Sequence, residues 1–349
     1  MSNPEQDLLK KSADIANREA MRYLSSQIAR HLSLRFQGPP LPRLKRRGFE
    51  LGKVFREAEL MNSFFNAGYQ DQLSRKFKSE DVSLILRVGQ KFPRVRYGFA
   101  YFSLLSTGDC PDEAMHLCHL QGRIEWARTS IPPRMIQVVY DHQESTEMLA
   151  KILFHDDPNL ADIIMACRYH DVAKAITGDF SKDCDITARD RRRLEKLAFE
   201  LIAPEYTPSP AQHAQDIRRS YVLAFGSGAA HRDIRSKYKD CDLLERAMES
   251  AFLVSQNLPT NRAQLVAELQ PFWDSAESGL QHQRAKNFFK VLEQARYRTD
   301  MKPEDYSDIV NTAEEYMRKC EMPTDSVAIG QSPGSNAKQT IVQFPARKP

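Results

Sequence analysis

The run Ile163-Ile164-Met165-Ala166-Cys167-Arg168-Tyr169-His170-Asp171-Val172-Ala173-Lys174-Ala175-Ile176-Thr177-Gly178-Asp179-Phe180 decides how this chain is read. Leu160, Ile163, Ile164, Cys167, His170, Asp171 and Lys174 recur at three- and four-residue spacing. That periodicity predicts a helix with all seven side chains on one face. Gly178 stands where a left-handed helix stop is expected, and Asp179 follows it. The apolar stripe therefore leads straight into an adjacent histidine and aspartate that must point inward. A buried carboxylate is costly unless something pairs with it. A metal ion is one natural partner for the doublet, and a salt bridge within a core is the other.

Outward from this run, the rest of the chain bounds the answer. With 349 residues, 41% hydrophobic and 28% charged, it is long enough for a substantial core and has an ordinary globular composition. Only 14 glycines accompany leucine-, alanine- and charge-rich windows, so a mostly helical chain is expected. No apolar run approaches the roughly 20 residues of a membrane span. The start, Met1-Ser2-Asn3-Pro4-Glu5-Gln6-Asp7, is too polar for a signal core. Six cysteines without paired spacing fit free thiols in a reducing compartment, and the cytoplasm is the expected location. A net charge of +4 is too small to imply nucleic acid from the whole chain. Residues 35–56 concentrate Arg35, Arg43, Lys45, Arg46, Arg47, Lys53 and Arg56 against Glu50. That segment either binds phosphates or an acidic protein surface, or is a solvated linker face.

Residues 7–34 read as one amphipathic helix carrying Leu8, Ile15, Met21, Leu24, Ile28 and Leu32, broken by Gln37-Gly38-Pro39-Pro40. A second helix is expected over about 49–65. Residues 82–102 are ambiguous, since Val82, Leu84 and Leu86 alternate while Tyr97, Phe99, Tyr101 and Phe102 crowd together. Cys110, His116, Cys118 and His119 fit no structural-zinc spacing, because the last three cannot share one helix face. Helices follow over 185–201, where Glu195-Lys196 face solvent by pattern, and from Lys237 onward. Beyond Glu321 the composition turns to Ser, Gly, Pro and Gln, which reads as a disordered tail.

The doublet stretch resembles the signature of the HD-domain metal-dependent phosphohydrolase superfamily, a helical group whose metal site is written His…His-Asp…Asp. The resemblance is closest to its bacterial 5′-deoxynucleotidase branch, where Thr-Gly-Asp follows the doublet at the offset of Thr177-Gly178-Asp179. A bare His-Asp pair carries no signal, as His155-Asp156 shows; the full spacing is more specific. The resemblance implies an all-α HD-type bundle over 111–321, preceded by a mainly helical region over 1–110 and followed by the tail 322–349. It implies four metal ligands. His142 opens a helix after Asp141, His170 and Asp171 form the doublet, and Asp242 ends a Lys-x-x-Asp segment starting at Lys239. Asp240 is the rival for that last position. Arg128 falls where the branch carries an arginine that contacts the phosphate or nucleotide.

Two imidazoles and two carboxylates suit a borderline divalent ion such as manganese, cobalt, iron, nickel or zinc. Such an ion lowers the pKa of water and polarises phosphorus, so cleavage of a nucleotide phosphoester is the implied enzymatic activity, with a deoxynucleoside monophosphate favoured. This chain has Lys174 where the branch has an acid. Lysine can hold a phosphate as a point charge, which leaves Asp179 as the nearest candidate proton carrier. The alternatives are an HD phosphodiesterase acting on a signalling or cyclic nucleotide, and a catalytically weak HD scaffold binding nucleic acid or protein. The expected partners are a phosphoester substrate, a nucleic acid or protein at 35–56, and a second copy of the chain in a homodimer; no membrane is expected.

Overall fold

The computed structural model describes residues 4–35, 58–180, 184–204, 212–226, 228–256, 258–296, 311–312 and 315. The basic segment, apart from Arg35 at a helix end, and the tail from 322 lie outside the described residues. The fold is all-α. Among the described residues the one extended pairing is an isolated antiparallel bridge between Gly122 and Val138. No helix of the described residues is long and apolar enough to cross a membrane.

The amphipathic stripe near the start forms α1 (Pro4–Arg35), whose Ala20, Leu24, Ile28 and Leu32 are buried. A π-helical turn, Phe64–Gly68, leads into α2 (Tyr69–Ser74). The ambiguous stretch resolves into two helices, α3 (Ser79–Lys91) and α4 (Pro93–Leu104). The three-residue recurrence Val82, Ile85, Val88 prevails over the two-residue alternation, and all three are buried. Pro93 starts α4 at its first turn, where a missing N–H costs nothing. Then come α5 (Cys110–Cys118), the short α6 (Ile124–Ala127) and α7 (Val139–Leu153).

The doublet run departs from its expected form. It is two helices, α8 (Leu160–Tyr169) and α9 (Lys174–Thr177), and His170-Asp171 lies in the break between them. Through the break the backbone tightens to three-residue bonds, Val172 to Tyr169, Lys174 to Asp171 and Ala175 to Val172. Arg94, fully inside the protein, explains how the short α9 is held. It donates to the carbonyls of Lys174, Ala175 and Ile176 and to Gln121 Oε1. Gly98 lets α4 lie directly on α9, since a methyl there would run into the Ile176 carbonyl. Gly178 stops the run at φ +71°, a conformation that disfavours side chains.

The remaining helices are α10 (Ala188–Ile202), α11 (Gln212–Phe225), α12 (Ala229–Ser255), α13 (Arg262–Gly279) and α14 (Gln283–Arg296). Thr187 and Asn261 cap α10 and α13 with their side chains. The long α12 packs against α7, α8, α11, α13 and α14. One apolar cluster holds residues from Ala20 to Ile217, including Phe99, Phe102, Val172 and Ile176, and a second gathers around α12. α1 and α4 share an apolar cluster with the doublet segment.

Candidate metal centre

Three separate stretches bring the doublet its neighbours. His142 sits in the first turn of α7, His170 and Asp171 in the α8–α9 break, and Asp242 in the middle of α12. His142 is 0% exposed and Asp242 9%. The two imidazoles meet Nε2 to Nε2 at 3.2 Å. Asp242 Oδ1 lies 3.4 Å and Asp171 Oδ2 3.8 Å from His142 Nε2, while Asp171 Oδ2 is 3.5 Å from His170 Nε2. His142, His170 and Asp171 can each offer one ligand atom with all three atoms inside 4.8 Å. Asp240 goes elsewhere: it is 0% exposed and accepts from the backbone N–H groups of Gln281 and His282 and from His282 Nδ1.

The outer nitrogens fix how each ring faces the cluster. His170 Nδ1 donates to the Cys167 carbonyl at 2.7 Å, leaving its Nε2 lone pair turned inward. His142 Nδ1 lies 2.6 Å from Glu245 Oε2 and donates to it, so its Nε2 also faces inward. Glu245 further accepts from Arg123 Nη1 at 3.1 Å and from Gln137 Nε2. Arg123 also pairs with Glu125 and donates to Gln137 Oε1, which takes the Trp126 indole N–H as well. The result is a buried carboxylate holding a histidine ring, the arrangement that orients imidazole ligands in metal sites.

This geometry sets two imidazole lone pairs and two carboxylates against one another. Burial and Arg123 push the His142 pKa down, yet Glu245 and Asp242 outweigh them and it ends above its ordinary value. His170 is lowered, with burial outweighing Asp171. Burial raises Asp171 and Asp242, but Lys174 and both histidines hold Asp171 low, and Arg246 with His142 holds Asp242 low. The cluster thus keeps its carboxylates charged and draws a proton onto one imidazole. His142, His170 and Asp171 are close enough to one another to hold a metal ion, with Asp242 beside His142, and a mixed nitrogen and oxygen set suits a borderline one. The donor set fits the expected group.

The other expected residues fall around this cluster in different ways. Lys174 Nζ bridges Asp171 Oδ2 at 2.8 Å and Asp179 Oδ1 at 3.0 Å. The second oxygen of Asp179 accepts the Ile124 N–H at 2.8 Å, so Asp179 ties α6 to the doublet segment through both its oxygens. Arg128 ends α6, its N–H bonding the Ile124 carbonyl. The arginine that touches His142 is Arg123, 2.7 Å from Nδ1. Arg123 and Glu245 escaped sequence reading; Glu245, on the same α12 face as Asp242, was the one traceable signal. His155-Asp156 is a helix-end pair, with Asp156 bonded to Arg284. His119 stacks on Tyr140 and His116 meets Tyr23 edge-on, as ordinary helix residues do.

A cavity of about 370 Å³ opens beside the cluster, with His170, Asp171 and Lys174 on its lining and Tyr238 flanking His170. Glu195, expected to face solvent, lines it too. Burial and the nearby Asp171 raise the Glu195 pKa. Comparisons with protein-family models, with curated proteins and with solved structures found no match.

Proposed function

We propose that the chain is a metal-dependent phosphohydrolase of the HD type, acting on a nucleotide phosphoester. The observation that supports this reading is the approach of His142 Nε2, His170 Nε2 and Asp171 to one another, with Asp242 Oδ1 3.4 Å from His142 Nε2. A bound divalent ion would supply a Lewis acid for a phosphoryl oxygen and a means of acidifying water. His142, His170, Asp171 and Asp242 would hold it. Glu245 orients His142, and Lys174 keeps Asp171 ionised.

Glu195 is better placed than Asp179 to protonate a leaving alcohol. It lines the open cavity, and its raised pKa favours the protonated form that a general acid needs. Asp179, by contrast, is occupied at both oxygens. The experiment is phosphate release across a panel of nucleotides with added manganese, cobalt, nickel or zinc, using Asp171→Ala as control. Release by the wild type that vanishes in Asp171→Ala supports the assignment. Equal release by the two proteins, or none from either, rejects it.

A further inference from the structure

Lys174 stands beside the proposed metal centre as a cation of the protein's own. Its Nζ lies 2.8 Å from Asp171 Oδ2, the same oxygen that is 3.5 Å from His170 Nε2 and 3.8 Å from His142 Nε2. An ammonium there offsets the charge that Asp171 would bring to a divalent ion. Asp179 changes that balance. Its Oδ1 is 3.0 Å from the same Nζ, so the ammonium is shared almost evenly between two carboxylates. Two carboxylates and one ammonium leave one negative charge, where Asp171 and Lys174 alone would leave none. The side chains of Asp171, Lys174 and Asp179 are 16%, 20% and 8% exposed, so water and salt screen this balance poorly. The backbone serves the same end. Gly178, at φ +71°, turns the chain after α9, and Asp179 comes back beside Lys174. The second oxygen of Asp179 accepts the N–H of Ile124, a residue 5% exposed, which fixes the carboxylate in place.

We propose that Asp179 is a positioning residue for the metal centre: it holds Lys174 and so leaves Asp171 the negative charge that binds a divalent cation. This rests on the metal centre of the reading above and needs no step of the hydrolysis.

The test is manganese affinity by calorimetric titration of the full chain, for the wild type, Asp179→Asn, Lys174→Met and the double variant, with urea midpoints in chelator to follow the fold. Asparagine keeps an oxygen for the Ile124 N–H, so Asp179→Asn removes the charge and little else. It is expected to bind manganese about 10- to 100-fold more weakly. Lys174→Met leaves both carboxylates without their ammonium and is expected to bind more tightly than the wild type by a similar factor. The double variant has the wild-type charge again and is expected to return to near wild-type affinity. An aspartate that served the fold alone would give the opposite result, because losing Lys174 as well would deepen the defect. Wild-type affinity in Asp179→Asn, or a double variant as weak as Asp179→Asn, overturns the proposal. Should Asp179→Asn not fold, Lys174→Met decides alone, and an affinity equal to or below that of the wild type overturns it. Phosphate release measured in parallel separates the two readings. The affinity pattern without release sinks the hydrolase and spares the role of Asp179, and release with unchanged affinity in Asp179→Asn does the reverse. A wild type that binds no manganese removes the metal centre and this proposal with it.

Discussion

Glu245→Gln replaces one carboxylate oxygen by an amide NH2 at almost constant volume, in a position only 2% exposed. Three donors converge on that carboxylate: His142 Nδ1 at 2.6 Å, Arg123 Nη1 at 3.1 Å and Gln137 Nε2. Whichever way the new amide is turned, its NH2 faces one of them donor to donor. Gln137 cannot flip to relieve this, because its Oε1 already accepts from Arg123 and Trp126. One hydrogen bond to a charged group is lost, at about 1.5–3 kcal/mol, and a buried donor is stranded. Arg123 keeps Glu125, which limits the electrostatic part. The expected loss is ~2–4 kcal/mol, a large share of a typical stability of about 5–15 kcal/mol. Urea unfolding should show a lower midpoint at constant slope. Since the same carboxylate aims His142, manganese affinity by calorimetric titration should also fall about 10- to 100-fold. A variant with wild-type midpoint and wild-type affinity would refute this reasoning about the Glu245 network.

Three further outcomes follow from other residues. Gly98→Ala drives a methyl into the Ile176 carbonyl, so it should cost at least the ~1–3 kcal/mol of an overpacked core, read as a lower urea midpoint. Asp240→Ala and Asp242→Asn should divide cleanly: the first loses about 1–3 kcal/mol of stability by stranding the Gln281 and His282 donors while keeping metal, and the second loses metal binding. Glu249 has its pKa pushed up to about 8 by burial and by Glu245. Its folded state therefore favours the proton, and its contribution is present in full below the unfolded carboxyl pKa and lost as pH rises toward 8. The full linkage would reach ~3 kcal/mol at pH 7, an upper limit because Glu249 keeps some contact with solvent. Glu249→Gln should flatten the fall in stability between about pH 5 and 8, followed by urea midpoints across that range.

The helical nature of the chain was legible because its stripes are long: the one over residues 7–34, with Leu24, Ile28 and Leu32 buried, far exceeds the roughly 3–10 residues of an ordinary strand. His142 and His170-Asp171 were singled out through the resemblance to a family motif, and the fold brings these three within 4.8 Å of one another. The break after Tyr169 was not legible. His170 and Lys174 keep helical spacing through it, and the short helix beyond it is held by Arg94, about eighty residues away, donating to three of its carbonyls. Residues 82–102 were ambiguous because period two and period three compete in a short apolar window, and packing of α3 on α4 decides between them. The network behind His142 was invisible for a related reason. Arg123 and Glu245 are separated by 122 positions, and nothing local marks either as a partner. Glu195 looked solvent-facing because its helix is charged, whereas a cavity beside the cluster gives that charged face a wall to line.

The proposed metal centre has four side chains, His142, His170, Asp171 and Asp242, around a single divalent cation. Counting metal per chain tests it most directly: the protein is equilibrated with manganese, passed through a desalting column and assayed by elemental mass spectrometry, beside His142→Ala. One tightly held ion per wild-type chain and none in the variant is the expected result. A wild-type chain that emerges without metal, or a variant that retains as much, would contradict it.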